Sequence, residues 1–199
     1  MKKVIFILLL ASCSSVSFAQ NIDIEILRSI NSSSDLPSDD FFRFISNSEV
    51  YVALGIPAGM ATAGLIKKDN ELLNNAIVIF ASAAVTSGIS TLLKHTVNRD
   101  RPYVTYPDIT QKIDVNSASF PSGHTSSAFS TATSVSLAYP KWYVIVPSFA
   151  WAGTVGYSRM TLGVHYPSDV LAGAIIGSGT AWLTYKINKK LKLKPPAKH

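Results

Sequence analysis

Charged residues are segregated along this chain. Five stretches contain no Asp, Glu, Lys or Arg: 50–66, 72–93, 125–140, 142–158 and 170–185. A membrane-crossing helix needs about 20 mainly apolar residues, within a range of roughly 17 to 25. The stretch 72–93 meets that comfortably; 125–140 is shorter and rich in Ser and Thr, and a helix beginning at Ser122 lengthens it. Small residues recur in these stretches, among them Gly55, Gly59, Ala81, Ala84, Gly88, Gly173 and Gly177. In lipid such residues let helices approach closely. The pattern therefore predicts an all-α helical bundle, integral to a membrane, with about five spans. The competing architecture is a soluble helical domain, whose helices would normally carry a charged outer face. Ahead of the spans, Ile22, Ile24, Ile26, Leu27 and Ile30 fit one helical face, and 32–40 reads as a loop. Phe41, Phe42, Phe44 and Ile45 suggest a short amphipathic turn or helix, lying at the membrane interface or over the bundle end.

Composition strengthens the membrane reading. Of 199 residues, 47% are hydrophobic and only 15% charged, against roughly 25% charged in soluble domains. The first residues resemble a secretory signal, with Lys2 and Lys3, an apolar run over 4–11, and Ser17-Phe18-Ala19 as a cleavage site before Gln20. Two alternatives stay open: a lipoprotein box at Leu10-Ala11-Ser12-Cys13, or an uncleaved anchor. Cys13 is the single cysteine, so no disulfide or thiolate metal site is expected. The chain thus divides into a signal segment (1–19), a polar and amphipathic leader (20–48), a helical domain (49–187) and a basic tail (188–199).

The net charge of +6 fits nucleic acid, a membrane surface or an anionic substrate, and its distribution decides among them. With Gln20 outside, Lys67, Lys68, Lys141 and the lysines of the tail all fall on the cytoplasmic side, as the positive-inside rule requires. The exceptions, chiefly Lys94, Arg99, Arg101, Lys112 and Arg159, cluster in short motifs on the other face.

Three constellations share that outer face. Lys94 and Arg101-Pro102, with six residues between, pair a point charge with a planar fork, which suits a tetrahedral oxyanion. Alone, such a pair is usually a helix-end feature. Pro121-Ser122-Gly123-His124 places amides and a hydroxyl at a helix start, a ready anion site, with His124 available to protonate a leaving oxygen; alone, it is a turn and helix cap. Arg159, His165 and Asp169 form the third. Four residues separate His165 from Asp169, so on a helix start they face the same way, and a carboxylate on one ring nitrogen makes the other a better nucleophile. Pro167 between them makes the first turn irregular.

Together, complete and in order, these motifs resemble the type 2 phosphatidic acid phosphatase family, which includes bacterial acid phosphatases and vanadium haloperoxidases. The resemblance spans roughly 50–185. It implies that His165 is the nucleophile, forming a phosphohistidine, that Asp169 orients it, and that His124 protonates the leaving group and then activates water. It also implies that Lys94, Arg101, Ser122, Gly123 and Arg159 bind the phosphate, with Arg99 as an auxiliary basic position. A cationic cradle of this kind does without a metal or other cofactor. His95 lies in the variable spacer and reads as incidental.

The expected function is hydrolysis of a lipid phosphate or diphosphate at the periplasmic face of a bacterial envelope. Phosphatidic acid, phosphatidylglycerol phosphate, undecaprenyl diphosphate and lipid A phosphates are the candidates. The expected partners are that lipid substrate and the membrane, without nucleic acid. A soluble periplasmic acid phosphatase would use the same residues. A haloperoxidase is disfavoured because those relatives are much longer, and a non-catalytic scaffold because no motif is damaged.

Overall fold

The structure is a computed structural model and describes residues 22–34 and 36–192. The expected signal segment and the end of the basic tail lie outside them. All regular structure among the described residues is helical. Helix α1 covers 22–30, followed by α2 (Ser38–Lys67), α3 (Asn70–Val97), the single turn α4 (Pro102–Thr105), α5 (Gly123–Ala138), α6 (Trp142–Thr161) and α7 (Pro167–Lys192).

Four of the charge-free stretches lie within long helices, 125–140 overruns α5 by two residues, and local chemistry sets the ends. Lys68 adopts a left-handed conformation (φ 53°) that stops α2, and the Asp69 side chain accepts from the amides of Glu71 and Leu72 to start α3. The result is a tight antiparallel hairpin. Helix α2 begins earlier than the hydrophobic pattern alone predicts. Phe41, Phe42, Phe44 and Ile45 are not a separate element but the first turns of α2, which runs on without a break past 48. The reason is a good start signal: Asp39 and Asp40 stand in the first turn, and the Asp39 carboxylate accepts from Leu36 N at 2.8 Å.

Helix α5 occupies the centre and packs against α2, α3, α6 and α7. Its buried side chains are all small: Thr125, Ser126, Ala128, Ser130, Thr131, Ala132, Ser134 and Ser136. Ser126 Oγ donates to Ser122 O one turn back (2.9 Å) and Ser130 Oγ accepts from Thr86 Oγ1 (3.1 Å), whereas the hydroxyls of Thr131, Ser134 and Ser136 are buried without a partner. Small side chains bring backbones close. A Cβ on Gly177 of α7 would stand 2.1 Å from the Ser126 carbonyl oxygen of α5. The outward faces are the reverse, with Leu54, Ile66, Ile77, Phe80, Leu92, Trp142, Leu171, Ile175 and Leu183 all more than half exposed. Among the described residues, two segments, Ser38–Lys67 and Asn70–Thr105, are long and apolar enough to cross a membrane.

Helix α1 lies over the end of the bundle where α3 stops and α7 starts. Ile24 and Leu27 turn inward onto Ile109 and Tyr166, whereas Ile22 and Ile26 face out. Asn31 donates to the carbonyls of Thr110 and Thr161, and Arg28 pairs with Asp108 at 2.7 Å. A buried pair, Lys112 Nζ to Asp39 at 2.6 Å, ties the α4–α5 connection to the start of α2.

Candidate active site

The three sequence motifs meet at this covered end. Lys94 comes from the last turn of α3, Arg101 from the N-terminal cap of α4, His124 from the first turn of α5 and Arg159 from the last turn of α6. His165 does not sit on a helix. It stands in the turn between α6 and α7, which reverses at Gly163 with φ +73°. A side chain at 163 would also drive a Cβ to 2.1 Å from the Thr110 carbonyl, so glycine is required there twice over.

That turn arranges the His165–Asp169 pair differently from a simple i,i+4 helical contact. His165 Nδ1 lies 3.6 Å from Asp169 Oδ2. The same oxygen accepts from Ser119 Oγ at 2.5 Å and from Tyr166 N at 3.0 Å, while Ser119 Oγ stands 3.5 Å from His165 Nδ1. Ser119 therefore bridges carboxylate and imidazole, leaving Nε2 to face Arg101 Nη1 at 3.4 Å. His165 is almost completely buried, and this burial, aided by the charges of Arg159 and Arg101 and opposed by Asp169, pushes its pKa down to about 3. The imidazole is neutral at physiological pH, with a lone pair to offer.

The cations are pre-set. Arg101 donates through Nε to Ser117 O (2.7 Å), through Nη1 to Val164 O (2.6 Å) and through Nη2 to Ser117 Oγ (3.2 Å). Lys94 Nζ donates to Ala118 O. Arg159 Nη1 donates to Ser46 Oγ at 2.5 Å, but its Nε is buried without any partner. An orphaned guanidinium N–H in a packed interior is costly unless a ligand completes it. Ser122 takes the cap position of α5: its hydroxyl accepts from Thr125 N and its own amide donates to Asp169 O. What the start of α5 leaves free for an anion is the amides of Gly123 and His124, which have no carbonyl one turn back.

Arg99 points away from this cradle. Its Nη1 donates to Asp169 Oδ1 at 2.7 Å, its Nη2 to Asp23 at 2.9 Å, and its guanidinium stacks 3.8 Å from the centre of the Tyr166 ring. Asp23, from α1, also accepts from Ser168 N at 2.8 Å, capping an otherwise orphan amide of α7. His95 is exposed. Sequence reading thus missed Asp23, Ser46, Ser117 and Ser119. Lone serines and a leader aspartate carry no motif signal.

Residues 75–193 match the family model described as the PAP2 superfamily. The chain is 42% identical over 72 residues to the lipid A 4'-phosphatase of Bacteroides thetaiotaomicron, a match covering 36% of this chain and 32% of that protein. It is 27% identical over 187 residues to the undecaprenyl-diphosphatase of Sulfolobus acidocaldarius, covering 92% and 87% respectively. Among solved structures it superposes on the transmembrane PAP2 type phosphatidylglycerolphosphate phosphatase from Bacillus subtilis with a TM-score of 0.72, at 24% identity, covering 96% of each chain. The chain spans about a third to just over half the length of the first curated relatives it matches. With a family match over more than half its residues and a shared fold throughout, the chain belongs to the PAP2 superfamily.

Proposed function

We propose that this protein is a membrane phosphatase that hydrolyses a lipid phosphate or diphosphate through a phosphohistidine on His165, facing the periplasm. The observation that carries the reading is the convergence of three cations and two histidines on one end of the bundle, with Arg159 Nε unpartnered. A phosphate completes that donor set. Its oxygens take the free N–H groups of Arg159, Arg101 and Lys94 and the amides of Gly123 and His124. Phosphoryl transfer is mostly positioning and charge stabilisation, and this cradle provides both without a metal.

The neutral Nε2 of His165 attacks phosphorus in line. Its Nδ1 proton is held by Ser119 and Asp169, which stabilise the imidazolium as the N–P bond forms. Burial, with the charges of Arg159, Lys94 and Arg101, pushes the His124 pKa down to about 3. His124 takes up its proton as the phosphate dianion binds beside it and gives that proton to the departing oxygen as the P–O bond breaks. The neutral His124 then takes a proton from water, which attacks phosphorus and frees His165 and inorganic phosphate. Arg99 holds Asp169 rather than the phosphate.

The apolar outer faces of α2, α3, α6 and α7 favour a membrane protein over a soluble periplasmic enzyme, since a soluble monomer rarely exposes such continuous apolar surface. Helix α5, at 16 residues, is about 24 Å long and shorter than the roughly 30 Å hydrocarbon core. Its central position keeps it off lipid. The test is phosphate release by detergent-purified protein from a panel of lipid phosphates. Turnover is expected to resist chelators and to be inhibited by vanadate. Absence of release from every member would overturn the proposal.

A further inference from the structure

A cavity of about 220 Å³ opens beside His124, lined by Glu49 of α2, by Thr86, Ser87, Ser90 and Thr91 of α3 along with Lys94, and by Gly123 and Ser127 of α5. His165 does not line it. In an in-line displacement the attacking and leaving atoms stand on opposite sides of phosphorus. If His165 attacks and His124 protonates the leaving oxygen, the group attached to that oxygen must lie on the His124 side. The cavity is therefore the leaving-group pocket, an assignment that rests on the phosphatase mechanism above.

Its chemistry is selective. Apart from Lys94, Gly123 and His124, every lining residue is a hydroxyl or the carboxylate of Glu49. Glu49 is 6% exposed, and Ser90, at 5%, has a hydroxyl with no hydrogen-bond partner. Thr131, Ser134 and Ser136 carry buried partnerless hydroxyls as well, and of these four residues only Ser90 lines this cavity. A carboxylate in the same wall accepts from ligand hydroxyls and offsets the attraction that Lys94 would exert on a second phosphate. The volume is below the roughly 300–1,000 Å³ of sites that enclose a drug-sized ligand, so it suits one ring or one glycerol unit.

We infer that the cavity selects phosphate monoesters whose leaving oxygen is borne by a hydroxyl-bearing sugar or glycerol unit, and that Glu49 discriminates against diphosphates, in which that oxygen is joined directly to a second, anionic phosphate. Glu49 also lies in the field of Arg159. Were it no more than a counter-charge, its removal would affect all substrates alike.

The experiment compares kcat/KM of the detergent-purified full chain for three substrates: a lipid A monophosphate, phosphatidylglycerol phosphate and undecaprenyl diphosphate. The wild type is expected to favour one or both monoesters, and the better of the two identifies a sugar or a glycerol unit. Glu49→Gln keeps shape and removes charge, and is expected to raise the diphosphate-to-monoester ratio about tenfold, since a charge pair across a partly buried pocket is worth at least that much. Ser90→Ala is expected to lower the same monoester several-fold relative to the diphosphate. A wild type that prefers the diphosphate, or a ratio unmoved by both substitutions, would overturn the pocket assignment while leaving the phosphatase reading intact. No release from any substrate would overturn both.

Discussion

At the scale of single residues, the candidate site is built from a few side chains proposed to bind phosphate and a larger set that holds them. Ser119 belongs to the second set. Its hydroxyl bonds the Asp169 oxygen that also faces His165, at 2.5 Å. Hydrogen bonds to charged groups are worth about 1.5–3 kcal/mol. Ser119→Ala should therefore lower kcat by about 10- to 100-fold and leave KM nearly unchanged, as steady-state kinetics on the wild type's best substrate will show. Arg159→Met removes a buried guanidinium whose Nε has no partner. It should cost about 100- to 1,000-fold in kcat/KM, the usual loss for a donor to developing charge. The pH dependence of stability follows from His165. Its pKa lies near 3 when folded against an ordinary 6.5, so between these values the unfolded chain binds a proton that the folded chain does not. Stability is full above about 6.5 and declines as pH falls toward 3. Denaturation followed from pH 7 to 4 should show this slope, and His165→Asn should reduce it.

At the scale of elements, what the sequence reveals and conceals have different causes. The three motifs were legible because they occur complete and in order, the pattern on which the family resemblance rests, and Lys94, Arg101, His124, Arg159, His165 and Asp169 do meet at one end of the bundle. The long helices were legible from charge-free stretches. Helix boundaries were less so: the aromatic group at 41–45 is continuous with the first long helix because Asp39 and Asp40 supply a start that hydrophobic periodicity does not record. The role of the leader was not legible at all. Asp23 reaches across 145 positions to cap Ser168 and, through Arg99, to brace Asp169, a contact that no local spacing encodes. Asp23→Ala should lower kcat more than it changes KM, with a stability loss of about 0.5–2 kcal/mol for the missing cap. The α5–α7 contact makes a sharper prediction. Gly177→Ala forces a Cβ against the Ser126 carbonyl and should cost at least about 1–3 kcal/mol. Gly179→Ala, where nothing lies within 4 Å, should be tolerated. Thermal unfolding in detergent distinguishes the two.

At the scale of the whole molecule, the arrangement is a small-residue, hydroxyl-rich interior inside an apolar exterior, with charge confined to the two ends. The lysines of the turns and tail stand at one end and the site cations at the other. That distribution accounts for the fold and for the site together. Small residues let α5 sit at the centre with its N-terminus among the cations, and the connections at that end bring in His165 and Arg101. Residues more than seventy positions apart converge because successive helices return to the same end. The account predicts that the protein stays with membranes through osmotic shock and is released only by detergent; release by shock alone would favour the soluble alternative. The proposed mechanism requires His165 to carry the phosphoryl group. The most direct measurement is to mix detergent-purified protein with a substrate bearing radiolabelled phosphate, quench within one turnover and locate the label. The account predicts label on His165 that survives alkali and is lost in acid, with neither label nor phosphate release in His165→Ala. Label on another residue, or turnover by that variant, would contradict it.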